Sequence, residues 1–166
     1  MRQLWAPWRM AYIQKFPVVK GCFLCAAGRK GKPGALGAFD RKHLVLARGR
    51  HAFVIFNRFP YSNGHLLIAP YAHTADFGGL PAETAAEITA LAQRAVRALQ
   101  AAMRPHGFNA GVNLGRIAGA GVADHLHWHI VPRWDADTNF MPVLADTRVI
   151  PQALAETYRI VAKAWK

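Results

Sequence analysis

Residues 125–131, HLHWHIV, alternate between histidine and an apolar residue. A period of two belongs to a β-strand, whose successive side chains point to opposite faces. Read as a strand, the segment sends His125, His127 and His129 to one face, with roughly 7 Å between neighbours. Leu126, Trp128 and Ile130 then point the other way, into a core. The chain therefore needs a sheet with one apolar face covered and a row of imidazoles on the other. Such a row is costly to bury unless each ring is hydrogen-bonded or ligated. The row is thus read as a site, with histidine acting as metal ligand or as nucleophile.

The rest of the chain supplies that sheet and its cover. HLVLARG (43–49), HAFVIFN (51–57) and HLLIAP (65–70) are strand-like runs, with Gly49 and Arg50 suited to a hairpin turn and FPYSNG (59–64) a turn cluster. FNAGVNLG (108–115) reads as a strand entering a glycine-rich loop. Pro81 suits a first helical turn, and Glu83 and Glu87 suit the positive helix N-terminus. Ile88, Leu91, Ala92, Ala95, Val96, Leu99, Ala102 and Met103 then recur at helical spacing, and the helix ends near Pro105 and Gly107. Residues 151–164 form a second amphipathic helix, while residues 26–39 and 135–151 read as irregular. Strands grouped around a long helix, without β-α-β alternation, predict an α+β fold with a mainly antiparallel sheet, a long packing helix and a C-terminal helix. A chain of 166 residues suits one domain, divided into an N-terminal arm (1–25), a core (40–134) and a C-terminal extension (135–166).

Composition narrows the class. A hydrophobic content of 52% argues against disorder. No run reaches the roughly 20 apolar residues of a membrane helix, and MRQLWAPWRMAYIQKF lacks the apolar stretch of a signal peptide. The expected location is the cytoplasm. The net charge is +12, concentrated around residues 29–58, which attracts polyanions. No RNA-binding aromatic signature or recognition-helix pattern accompanies it, so a basic nucleic-acid-binding module is the second choice. Cys22 and Cys25, spaced C-x-x-C, read as a redox pair or as half of a zinc site.

Gly115, Gly119 and Gly121 lie in a loop that runs through Val122-Ala123-Asp124 into the histidine segment. Glycines let backbone N–H groups turn inward around phosphate oxygens. A metal-only hydrolase on the three histidines would lack an obvious carboxylate base. A nucleophilic imidazole beside a phosphate-binding loop has what it needs.

His125-Leu126-His127-Trp128-His129-Ile130-Val131-Pro132 resembles the motif of the histidine triad (HIT) superfamily. The similarity extends to Asn57 after FVIF, to Gly64-His65-Leu66-Leu67-Ile68-Ala69-Pro70, to Asn113-x-Gly115, to LWAPWR, to Cys22-x-x-Cys25 and to NFMPVLADTRVIP. It is greatest to the bacterial branch that includes diadenosine tetraphosphate phosphorylases. The resemblance implies a HIT-like fold, a homodimer with the sheet extended across the pair, and cleavage of dinucleoside polyphosphates through a nucleotidyl-histidine. Phosphate or water would be the acceptor, and no organic cofactor is implied. A nucleoside phosphoramidate hydrolase of the same superfamily is the alternative. By position, His127 would be the nucleophile, His129 would contact the phosphate and His125 would support them. Asn57 would hold the ribose, and Asn113, Gly119, Gly121 and Val122 would face the phosphates. Many relatives carry Gln and then Ser or Thr where this chain has Gly121-Val122, so backbone N–H groups would take over that contact. Related nucleotidyl transferases imply a structural zinc on Cys22, Cys25, His73 and His125, closed by two sulfurs and two nitrogens.

Overall fold

The structure is a computed structural model that describes residues 21–29, 33, 36–137 and 150–166. LWAPWR and nearly all of NFMPVLADTRVIP lie outside the described residues. The elements in chain order are α1 (Phe23–Gly28), α2 (Ala38–His43), β1 (Val45–Arg48), β2 (Ala52–Phe56), β3 (Leu66–Pro70), α3 (Ala82–Met103), β4 (Gly107–Val112), β5 (Trp128–Arg133) and α4 (Leu154–Ala164). The five strands form one sheet in the order β1-β2-β3-β5-β4, with every neighbouring pair antiparallel. This is the expected α+β architecture.

The sheet buries both faces, each against different helices. On one face Val54, Phe56, Leu66, Ile68 and Ile130 pack against Ile88, Leu91, Ala95 and Leu99 of α3 and Val161 of α4. Those α3 residues lie on the apolar stripe read from the sequence. On the other face Val45, Phe53, Ile55 and Leu67 pack against Leu24 and Ala27 of α1.

Four expectations need correction. Residues 26–39 are not simply a loop, because α1 and the start of α2 occupy them. The first strand does not begin at His43, which ends α2; Leu44 follows with φ +62°, and the strand starts at Val45. A buried ion pair explains both short helices. Arg48, on β1, donates from Nε to Asp40 Oδ1 at 2.8 Å and from Nη2 to the Ala27 carbonyl at 2.7 Å. It thereby ties α2 and the end of α1 to the sheet. The C-terminal helix begins at Leu154 rather than at residue 151.

Glu87 is the fourth correction. It does not serve the α3 N-terminus. Its carboxylate accepts the backbone N–H groups of Arg50 (2.7 Å), His51 (2.5 Å) and Ala52 (2.9 Å), closing the β1–β2 hairpin onto α3. A Cβ at Gly49 would sit 2.6 Å from this carboxylate, so only glycine lets the hairpin come that close. Burial alone would raise the Glu87 pKa, but the three N–H groups outweigh it and hold the pKa below the usual value. The folded pKa is therefore below the unfolded one of about 4.3. The stabilisation is complete above that value and is lost as pH falls through the depressed folded pKa. Glu87→Ala is expected to lower unfolding free energy by about 2–4 kcal/mol near neutral pH. Urea titration should also show that the gap between variant and parent narrows in acid.

The turn before β3 positions the site. Gly64 has φ +79°, and a Cβ there would lie 2.8 Å from the Met103 sulfur. Asn63 is buried beside it, and its Oδ1 accepts the Thr157 hydroxyl of α4 at 3.0 Å. The segment that presents Tyr61 and His65 is thus clamped between α3 and α4.

Candidate active site

β5 begins at Trp128, not at His125, because Leu126 N–H bonds to the Thr74 carbonyl at 2.8 Å instead of to a strand neighbour. The uniform row of three imidazoles therefore becomes three separate placements. All three rings are buried, at 1%, 5% and 9% exposure for His125, His127 and His129. Trp128 and Ile130 pack on the face covered by α3 and α4, as the alternation requires.

Each ring has its tautomer set by a partner. His127 Nδ1–H donates to the His125 carbonyl at 2.8 Å, which leaves the lone pair on Nε2. His125 Nε2–H donates to the Pro70 carbonyl at 2.9 Å, which leaves its lone pair on Nδ1. His65 receives the Tyr61 backbone N–H on Nδ1 at 3.1 Å, so its proton sits on Nε2 and is donated to His129 Nδ1 at 2.9 Å. His129 must then carry its own proton on Nε2. That buried atom has no hydrogen-bond partner among the described residues, and it is the donor left over for a ligand oxygen.

The electrostatics agree with this arrangement. Burial lowers the pKa of His127 against the opposing pull of the His125 carbonyl. Burial first, then the neighbouring His127, lowers that of His129 to about 4. Both rings are therefore neutral near pH 7, one as an electron-pair donor and the other as a hydrogen-bond donor. Their ring centroids are 5.0 Å apart.

His65 lies in the GHLLIAP segment and Tyr61 in the FPYSNG turn cluster, and no sequence pattern assigns either one a role. The Tyr61 ring stacks on His129 with centroids 5.7 Å apart and planes 12° apart. A period-two reading of HLLIAP places His65 on the same face as Leu67. The pairing of Leu67 with His129, which brings the two histidines together, is a tertiary fact.

Asn57 Nδ2 lies 3.2 Å from His65 Nδ1, and its Oδ1 accepts Phe59 N–H at 2.9 Å, so this side chain stands at the edge of the same network. Asn113 holds the glycine loop, with Nδ2 donating to the Gly119 carbonyl at 3.4 Å. Gly119 and Gly121 are exposed and Val122 is half-buried.

A cavity of about 300 Å³ opens on the histidine-bearing face, lined by Phe23, Ala26, Arg29, His43, Ile55 and Arg58, among others. Ile55 pairs with Leu67, and Leu67 pairs with His129, so the cavity and His129 share one cross-strand row. At roughly 4.8 Å per strand they lie about 10 Å apart.

Cys22, Cys25, His73 and His125 form a second cluster, with one ligand atom from each, all within 4.8 Å of one another. Cys22 Sγ is 3.3 Å and Cys25 Sγ 3.5 Å from His125 Nδ1, and His73 Nδ1 is 3.2 Å from Cys25 Sγ and 3.3 Å from His125 Nδ1. Cys22 precedes α1 and Cys25 lies in its first turn, so the C-x-x-C spacing brings both sulfurs to one side.

Residues 40–136 match the HIT domain family. The chain belongs to that family. It is 38% identical over 165 residues, or 99% of its length and 85% of the relative's, to the AP-4-A phosphorylase of Mycobacterium tuberculosis (strain ATCC 25618 / H37Rv). It is 38% identical over 74 residues to adenosine 5'-monophosphoramidase hnt1 of Schizosaccharomyces pombe, covering 45% of this chain and 52% of that one. The crystal structure of a Zn-bound histidine triad family protein from Mycobacterium smegmatis superposes with TM-score 0.65 at 25% identity, covering 87% of this HIT chain and 93% of the other. No helix among the described residues of this HIT protein is long and apolar enough to cross a membrane.

Proposed function

We propose that this HIT protein is an enzyme that cleaves dinucleoside polyphosphates of the diadenosine tetraphosphate kind, through a nucleotidyl group carried on His127. The observation that carries the reading is the pair of opposite tautomers, with a lone pair on His127 Nε2 beside an unpartnered N–H on His129 Nε2. The full-length similarity to an AP-4-A phosphorylase supports the substrate class.

His127 Nε2 attacks the α-phosphorus. A nitrogen–phosphorus bond forms, and the bond to the bridging oxygen breaks, with the electron pair leaving on the nucleoside polyphosphate. The His125 carbonyl stabilises the positive ring through its bond to Nδ1–H. His129 Nε2–H and the backbone N–H groups of Gly121 and Val122 stabilise the phosphoryl oxygens, which is electrostatic preorganisation, while Gly119 shapes the loop by donating its own N–H to the Arg116 carbonyl at 3.1 Å. Inorganic phosphate then attacks phosphorus from the vacated side, the nitrogen–phosphorus bond breaks, and a nucleoside diphosphate leaves. Two displacements replace one difficult step. The cavity beside Ile55 accepts the base, and Asn57 lies between base and phosphate, where it meets the ribose. Product analysis tests the acceptor. With phosphate present, diadenosine tetraphosphate should give ADP and ATP; AMP and ATP in its place would mean that water is the acceptor.

His65 acts through His129 as a positioning residue. His65→Phe keeps a flat ring but cannot donate to His129 Nδ1. The expected result is a fall in kcat of about 10- to 100-fold with KM near its parent value, together with a lower unfolding midpoint because the Tyr61 N–H loses its acceptor. Equal kcat would show that the proton on His129 Nε2 does not depend on His65.

The Cys22, Cys25, His73 and His125 cluster fits a structural zinc. A tetrahedral ion with bonds of about 2.3 Å to sulfur and 2.0 Å to nitrogen needs ligand atoms spaced much as these are. His125 already donates its other ring proton to Pro70, the outer-shell bond that a metal-ligating histidine normally makes. Zinc there supplies cross-linking rather than phosphoryl chemistry, since four protein ligands close its shell. Among the described residues β4 is an edge strand that pairs only with β5, which supports a homodimer with a continuous sheet.

A further inference from the structure

The positive charge of this protein is not spread over it. Residues 1–58 contain twelve Lys and Arg against Asp40 alone, whereas residues 59–166 contain nine against eight acidic residues. Asp40 is 2% exposed and consumed by Arg48, so the first third of the chain offers no carboxylate to balance its other cations. That third builds the cavity beside Ile55. Arg29 and Arg58 line it, both are exposed, and among the described residues neither has an acidic partner and no carboxylate lines the cavity.

Reaction geometry makes these arginines conspicuous. With the α-phosphate at His127 and His129 and the base beside Ile55, the remaining phosphates leave toward the glycine loop, away from the cavity. Arg29 and Arg58 stand on the nucleoside side and cannot serve that chain of phosphates. Arg58 directly follows Asn57, the residue assigned to the ribose. A guanidinium presents a planar fork suited to two phosphate oxygens. We infer that the cavity takes a nucleoside 5′-phosphoryl group whose ribose bears a further phosphate on its 2′ or 3′ oxygen, held by Arg58 and Arg29. The inference rests on the proposed placement of the base beside Ile55.

The test is calorimetric titration of the whole protein with AMP, ADP, adenosine 3′,5′-bisphosphate and adenosine 2′,5′-bisphosphate. One bisphosphate is expected to bind about tenfold or more tighter than both AMP and ADP, the weight of a charge-assisted hydrogen bond. ADP carries its extra charge at the wrong end and controls for the general field. In an Arg29→Ala, Arg58→Ala variant, both sites being exposed, the advantage should disappear. Bisphosphates binding no tighter than ADP would overturn the inference, as would an advantage that survives in the double variant. Ala26→Trp, at an exposed position on the cavity wall, tests the underlying placement: unchanged AMP binding there would remove the base from the cavity, and the inference with it. The 5′-phosphorylated diadenylate pApA separates two sources of the phosphate. Binding equal to the 3′,5′-bisphosphate marks a continuing nucleotide chain, and weaker binding marks a terminal monoester; either outcome upholds the second phosphate site.

Discussion

His127→Asn is expected to reduce turnover of diadenosine tetraphosphate by on the order of 10⁴-fold or more, the usual scale for removing a nucleophile, while nucleotide binding persists. The structure gives the reason. His127 Nε2 holds the lone pair because Nδ1–H is committed to the His125 carbonyl, and burial keeps the ring neutral. Asparagine can retain a polar group near that carbonyl but has no electron pair basic enough to attack phosphorus. The parent incubated with labelled dinucleotide should acquire an acid-labile, base-stable label, the signature of a phosphorus–nitrogen bond. The variant should acquire none. A variant that retained most of its turnover, or that still became labelled, would require another nucleophile.

Removal of the metal is expected to have the larger effect on stability. Protein purified without added metal should contain close to one equivalent of zinc, and a Cys22→Ser, Cys25→Ser variant should contain almost none. Because binding free energy at such a site becomes folding free energy, chelation should lower the unfolding midpoint. A loss of about 3 kcal/mol corresponds to roughly 6–12 °C in a chain of this size. The cluster joins α1, the segment after β3 and the approach to β5, so losing the ion would loosen three parts of the fold at once. Catalysis should suffer less. His127 is held by the His125 backbone carbonyl, and the Pro70 bond keeps His125 in place without the metal. Zinc far below one equivalent in the parent, or equal occupancy in the variant, would remove the metal from this site.

The histidine segment shows how far sequence reaches. Alternation alone put Trp128 and Ile130 in the core and singled out the histidines for chemistry, because side-chain direction along an extended chain is a local property. The long α3 was legible for a similar reason: the helix is twenty-two residues long, and its apolar stripe from Ile88 to Met103 is enough for the 3.6 period to stand out. α1 and α2, of six residues each, carry no such stripe. They exist because Leu24 and Ala27 are buried on the sheet and Arg48 reaches Asp40 and the Ala27 carbonyl, contacts between residues distant in the chain.

Periodicity and motif spacing are written along one chain, so the fold class and the candidate residues for each role can be read from the amino-acid order alone. Which nitrogen of each histidine holds its proton depends instead on contacts made in the folded chain. His125 is set by Pro70, His127 by the His125 carbonyl, and His129 by His65, which Tyr61 orients in turn. Two of those partners lie more than fifty residues away in the chain. A ring proton follows the nearest acceptor in space, and no local pattern states what that acceptor is.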